Sequence, residues 1–146
     1  MLDNIDKQLI LLLQEDSRIS ITELSSKVNL SRPSINERIN KLIDKGILKK
    51  FSAHVPPESV GLNVSFYIQI SDIKVSFNKI CEILISKKCI TEIHAVTGKI
   101  NYIAKGSTKN ITEMNALLEE LMPYAHINTS IILNTPLENS IIIPVD

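Results

Sequence analysis

Ser31-Arg32-Pro33-Ser34-Ile35-Asn36-Glu37-Arg38-Ile39-Asn40-Lys41-Leu42, within the run LSRPSINERINKL, decides how the first third of the chain is read. Ser31 offers a side-chain acceptor suited to a helix N-cap. Pro33 falls in the first turn, where a missing N–H costs little. Ile35, Ile39, Leu42 and Ile43 then recur at helical spacing. Gly46 suits the left-handed residue just past a helix end. On a wheel of about 100° per residue, Ile35, Ile39 and Leu42 share one side. Pro33, Ser34, Glu37, Asn40 and Lys41 fall opposite, with Asn36 and Arg38 on the flanks.

Ser20-Ile21-Thr22-Glu23, upstream, has the spacing of a capping box. It opens a helix of about two turns with Ile21, Leu24 and Val28 on one side, and "NLS" makes the turn to Ser31. A first helix runs from about Asp3 to Glu15 with Ile5, Leu9, Leu12 and Leu13 as its stripe. A short helix, a tight turn and a second capped helix form a helix-turn-helix, whose second helix presents its N-terminal residues to base edges in a major groove. Charge agrees with that reading. Lys27, Arg32, Arg38, Lys41, Lys45, Lys49 and Lys50 face only Glu37 and Asp44, a local surplus of five. The whole chain carries 16 Lys+Arg against 16 Asp+Glu. Double-stranded DNA is the implied partner, since phosphate contacts supply most non-specific affinity. Ser31, Arg32, Pro33, Ser34, Asn36, Glu37, Arg38, Asn40 and Lys41 are the candidate contacts. Arg38 is the first choice because its fork takes two acceptors, while Glu37 can accept from a cytosine amino group or orient Arg38.

Beyond Gly46 the period changes. "ILKKFSAHV" is strand-like, and "PPESVGL" is a turn or linker. "NVSFYIQIS" alternates as a strand, and Phe77 to Ser86 is helical with Phe77, Ile80, Cys81 and Leu84 inward. "ITEIHAVT" and "INYIAKG" are strands around the loop of "VTGKINY". A helix from Thr108 or Asn110 carries Ile111, Met114, Leu117, Leu118 and Leu121; "INTSIILNT" is a further strand and "NSIIIPV" one more. Residues 62–133 therefore read β-α-β-β-α-β, the ferredoxin-like order with both helices on one face of an antiparallel sheet. The expected class is α+β: a helix-turn-helix, winged-helix-like domain over 1–50, a strand and hinge over 51–61, and a ferredoxin-like effector and oligomerisation domain over 62–146. Val64, Phe66, Ile68 and Ile70 alternate with Ser65, Tyr67 and Gln69, an apolar surplus that a sheet face buried in a dimer accounts for.

Composition narrows the function classes. At 146 residues, 44% hydrophobic and 22% charged, the chain reads as a globular protein. Its longest apolar run, Leu9 to Leu13, falls far short of the roughly 20 residues of a membrane span. The start lacks signal-peptide character, so a cytoplasmic, nucleoid-associated protein is expected. Cys81 and Cys89 show no metal spacing, and His54, His94 and His126 are dispersed, so no metal site is expected. None of the phosphate-loop, dinucleotide or nucleophile-elbow motifs is present, so neither catalysis nor a cofactor is expected.

The sequence resembles the Lrp/AsnC family, the leucine-responsive and asparagine-related transcription regulators. "LSRPSINERINKL…GIL" is the most specific part of the match, "PPESVGL" resembles its hinge, and "VTGKINY" stands where its glycine loop stands. The resemblance implies gene regulation at DNA half-sites by a homodimer built through the second domains, with tetramers or octamers as further assemblies. It also implies tuning by an amino acid held at subunit interfaces. Members that bind amino acids usually carry acids just after the loop glycine and two residues later. Gly98 and Tyr102 match, but Lys99 and Asn101 stand at the acidic positions. An acid pairs with an α-ammonium group by a charge-assisted hydrogen bond, which Lys99 would oppose. Three alternatives stay open: no effector, a different metabolite, or an amino acid held through Thr97, Asn128, Thr129 or backbone N–H groups. Gly98 serves the hairpin turn under all three. A second functional class, an architectural protein that wraps or bridges DNA with little sequence preference, fits the same charge pattern.

Overall fold

Side-chain caps close the N-termini of three short helices: α1 (Asn4–Glu15), α2 (Ile21–Val28) and α3 (Arg32–Asp44). The computed structural model describes residues 2–145. Asp3 and Asp6 form a reciprocal capping box on α1. Ser20 Oγ accepts from Glu23 N at 3.1 Å on α2, while the Glu23 carboxylate lies 3.8 Å from Lys27. Asn29, with φ 53° and ψ 49°, makes the left-handed turn into α3, a conformation asparagine tolerates better than most residues. Leu9, Leu13, Leu24, Val28 and Ile35 bury together, with Ile5, Leu12, Ile39 and Leu48 packed around them.

The second unit spans residues 55–136. A 3-10 turn (Pro57–Val60) leads into β1 (Val64–Ser71), α4 (Phe77–Ser86), β2 (Ile90–Ala95), β3 (Tyr102–Thr108), α5 (Ile111–Leu121) and β4 (His126–Ile131). The strands form one antiparallel sheet in the order β2-β3-β1-β4, the ferredoxin-like arrangement. Phe66, Ile68 and Ile70 of β1 are fully buried against Ile80 and Leu84 of α4 and Met114, Leu117 and Leu121 of α5. Both helices therefore cover one face. The apolar alternates of "NVSFYIQIS" are satisfied within a single chain, and Ser65, Tyr67, Gln69 and Ser71 alternate to the open face.

Three expectations change. "ILKKFSAHV" and "NSIIIPV" form no strand, because alternation supplies an apolar edge but neither segment meets a ladder partner in the described residues. The final segment, 137–145, joins residues 2–54 rather than the sheet it follows. Gln14 of α1 exchanges two 2.9 Å hydrogen bonds with the backbone of Ile142, and His54 meets Glu138 at 3.2 Å and Asn139 at 3.1 Å. Phe77, expected inward, is more than half exposed, as is Ile111 at the start of α5. Each begins its helix, at the end of an apolar stripe that has not yet reached the buried cluster.

Gly106 lets β2 and β3 close over the core. A Cβ there would stand 2.9 Å from the Cys89 carbonyl oxygen and 3.0 Å from the Phe66 ring. That carbonyl accepts from Ser107 N at 2.9 Å and cannot easily retreat. Gly106→Ala is expected to destabilise the sheet unit by about 1–3 kcal/mol, read as a lower urea midpoint. An unchanged midpoint would show a looser β2–β3 approach than the structure describes.

Candidate nucleic-acid interface and effector loop

Helix α3 begins where Ser31 Oγ accepts from Ser34 N at 3.3 Å. The two serine hydroxyls lie 2.8 Å apart, so each already has a partner in the free protein. Ile35 and Leu42 bury their side chains, which turns Arg32, Pro33, Asn36, Glu37, Asn40 and Lys41 to solvent. Most of the expected contacts thus share one exposed face of a helix whose N-terminus is capped. Lys41 Nζ lies 2.6 Å from Glu37 Oε1, one turn away. That hydrogen bond is the main reason the Glu37 carboxyl sits below its ordinary range. The pair is exposed, so it separates at little cost when either partner meets DNA.

Ser34 and Arg38 depart from the exposed set. Ser34 is half-buried. Arg38 turns back toward α1, where its Nη1 donates to Asp3 Oδ2 at 2.6 Å and to Asp6 Oδ1 at 2.7 Å. These two hydrogen bonds raise the guanidinium above its usual value, Asp3 contributing most. Asp3 itself is lowered, first by the Asp6 backbone N–H and then by Arg38. The acids escaped sequence reading because their partner lies more than thirty residues away.

The second candidate region splits. Thr97, Gly98 and Lys99 form the exposed bend between β2 and β3, with Gly98 at φ 104°. Val96 N donates to Asn101 O at 3.1 Å, and Asn101 N donates to Ile70 O at 2.8 Å. By strand alternation, Asn128 belongs to the open face, while Tyr102 and Thr129 belong to the helix-covered face; Asn101 lies in the bend just before β3. Asn128 Nδ2 donates to Gln69 Oε1 at 3.4 Å. Tyr102 packs its ring 6.3 Å from that of Phe77, and the Cys81 thiol beside its hydroxyl holds it above the ordinary phenol value. An open cleft of about 670 Å³ lies between α4 and β2, lined by Cys81, Ile85, Ile90, Thr91, Glu92, Ile93, Ala95 and Tyr102. Tyr102 alone of the seven loop-site residues lines it. Among the described residues, no group of three or more His, Cys, Asp or Glu could hold a metal ion, and no helix is long and apolar enough to cross a membrane.

Two family models match in chain order: an AsnC-type helix-turn-helix domain over residues 2–43, and the Lrp/AsnC ligand binding domain over residues 66–142. The chain belongs to the Lrp/AsnC family. This Lrp/AsnC protein is 34% identical over 119 residues to the HTH-type transcriptional regulator FL11 of Pyrococcus furiosus, a match covering 82% of this chain and 79% of that protein. It is 28% identical over 133 residues to LrpC of Bacillus subtilis, covering 91% and 92%. The solved B. subtilis LrpC superposes with a TM-score of 0.87 at 27% identity, over 92% of this chain and 96% of that one. The transcriptional regulator NMB0573 of Neisseria meningitidis, solved as an L-methionine complex, shares the fold with a TM-score of 0.88 at 22% identity, over 97% and 96%. Our Lrp/AsnC chain is thus a transcriptional regulator with a DNA-binding helix-turn-helix and a ligand-binding domain. Its relatives are transcriptional regulators rather than enzymes.

The lowered Asp3 carboxyl predicts acid sensitivity of the helical unit. A group depressed in the folded state stabilises it above the unfolded-state value and loses that contribution as pH falls through the folded value. Melting temperature should therefore drop on acidification below about pH 4, and Asp3→Asn should show a shallower drop there while melting lower at pH 7. Parallel melting curves for the two proteins would refute the link.

Proposed function

We propose that this regulator reads specific DNA sites through the exposed face of α3, presented twice by a cytoplasmic homodimer. The observation that carries the reading is the capped helix itself: Arg32, Asn36, Glu37, Asn40 and Lys41 are all exposed on it, inside the stretch with five surplus positive charges. Asparagine amides pair with adenine edges, and arginine pairs with guanine. Lys41 suits a phosphate oxygen once released from Glu37. A dimer doubles the contacts of a small reading unit and suits palindromic sites. Footprinting in the presence of excess competitor DNA should give short, sharply bounded protection, whereas protection spreading along the duplex would favour an architectural role. Lys41→Ala should weaken binding to all sequences alike and reduce the slope of log affinity against log salt by about one. An unchanged slope would remove Lys41 from the interface.

The ligand-binding domain is proposed to take an amino acid without the usual acidic loop partners. The methionine complex of the Neisseria relative supports that ligand class. The register of the open face supports the mode, because Gln69 and Asn128 are neutral amides paired on neighbouring strands, and Asn101 stands in the loop just before β3. A neutral amide oxygen accepts from an ammonium group, but more weakly than a carboxylate. A thermal-shift titration with L-methionine should therefore show a rise only at high concentration, and Lys99→Asp with Asn101→Asp should bring it to lower concentration. Identical titrations for the two proteins would place any effector away from the loop.

A further inference from the structure

The geometry points to a positioning role for Asp3, Asp6 and Arg38: together they set the pose of α3 for DNA reading, with Arg38 acting through α1 rather than on a base. This inference rests on α3 being the reading helix.

All four carboxylate oxygens of the two acids are engaged. Asp3 Oδ1 accepts from Asp6 N at 2.8 Å and Asp6 Oδ2 from Asp3 N at 3.3 Å, which locks the carboxylates to the first turn of α1. The remaining oxygen of each accepts from Arg38 Nη1. The Arg38–Asp6 pair is partly withdrawn from water, Asp6 being 17% and Arg38 29% exposed, so it is screened less than a surface lysine pair, while Asp3 is half exposed. Arg38 flanks the apolar stripe of α3 and follows its one fully buried residue, Ile35, by a single turn. Burial of Ile35 holds the start of the helix against the core, and Arg38 adds a directional hold one turn further on. A phosphate or base approaching Arg38 Nη1 would have to displace two carboxylates, which also repel the phosphate backbone.

Base reading needs donors placed to within ångströms, while phosphate attraction tolerates a shifted helix. Loss of the clamp should therefore lower specific affinity more than non-specific affinity. The Asp6→Asn variant gives opposite signs for the two views. It removes a negative charge near the interface, so electrostatics alone would tighten DNA binding. The clamp predicts instead that affinity for a footprinted operator falls about tenfold, the scale of one lost base contact, while affinity for a scrambled duplex holds or rises.

The experiment is fluorescence anisotropy of both duplexes at several salt concentrations, on the full chain, with Asp6→Asn, Arg38→Ala and the double variant. A common loss of operator preference, spread over all base pairs and no deeper in the double variant, supports the clamp. It is overturned if Asp6→Asn binds the operator as well as or better than the parent, or if Arg38→Ala loses preference at one base pair with a salt slope smaller by about one. Should Asp6→Asn fail to fold by thermal melting, Asp3→Asn takes its place, and Asp6→Arg with Arg38→Asp must restore operator preference or the pairing is wrong. Arg32→Ala and Lys41→Ala separate the underlying reading: if neither changes operator affinity or its salt slope, α3 is not the reader and the inference falls with it.

Discussion

One guanidinium held by two carboxylates ties α3 to the first turn of α1. Arg38 is the side chain on that helix best shaped to read a guanine, yet its Nη1 is committed to Asp3 and Asp6. The acids are themselves a helix cap, so closing α1 and holding α3 are a single arrangement. The exposed face of α3 keeps the neutral amides of Asn36 and Asn40 and the Glu37–Lys41 pair, with cationic Arg32 at its start.

The sheet unit rests on a different constraint. β1 is central, so both its edges are paired, and Phe66, Ile68 and Ile70 must all point to the helices. That period-two burial sends Asn128 to the open face and Tyr102 and Thr129 to the other. Asn128 and Thr129, adjacent in sequence, are thereby divided between two surfaces. Tyr102 belongs with Cys81 and Phe77 beside an apolar cleft, while the Gln69 and Asn128 amides pair on the open face.

Much of this was legible in the chain. Caps announced themselves: Ser20, Ser31 and Asn110 stand one residue before helices whose first turns they close. The β-α-β-β-α-β order followed from periodicity and breakers. The misreadings share one cause. "ILKKFSAHV" and "NSIIIPV" have strand-like patterns, but a strand exists only where a second edge receives its N–H and C=O groups. Phe77 has the right helical angle, but burial also depends on where along the helix the partner layer begins.

By itself the sequence determined what acts over a few residues: caps, helix periods, the glycine bend at 98 and the local charge surplus of 27–50. These depend on spacing along the backbone, which the chain carries wherever it goes. Only the tertiary structure decided that Arg38 faces two acids more than thirty residues away, that Gly106 stands where no side chain fits, and that the last residues return to Gln14 and His54. Such contacts join positions whose separation in sequence says nothing of their distance in space. They exist because burying Ile35 and Phe66 leaves the surrounding polar groups little freedom in where to find partners.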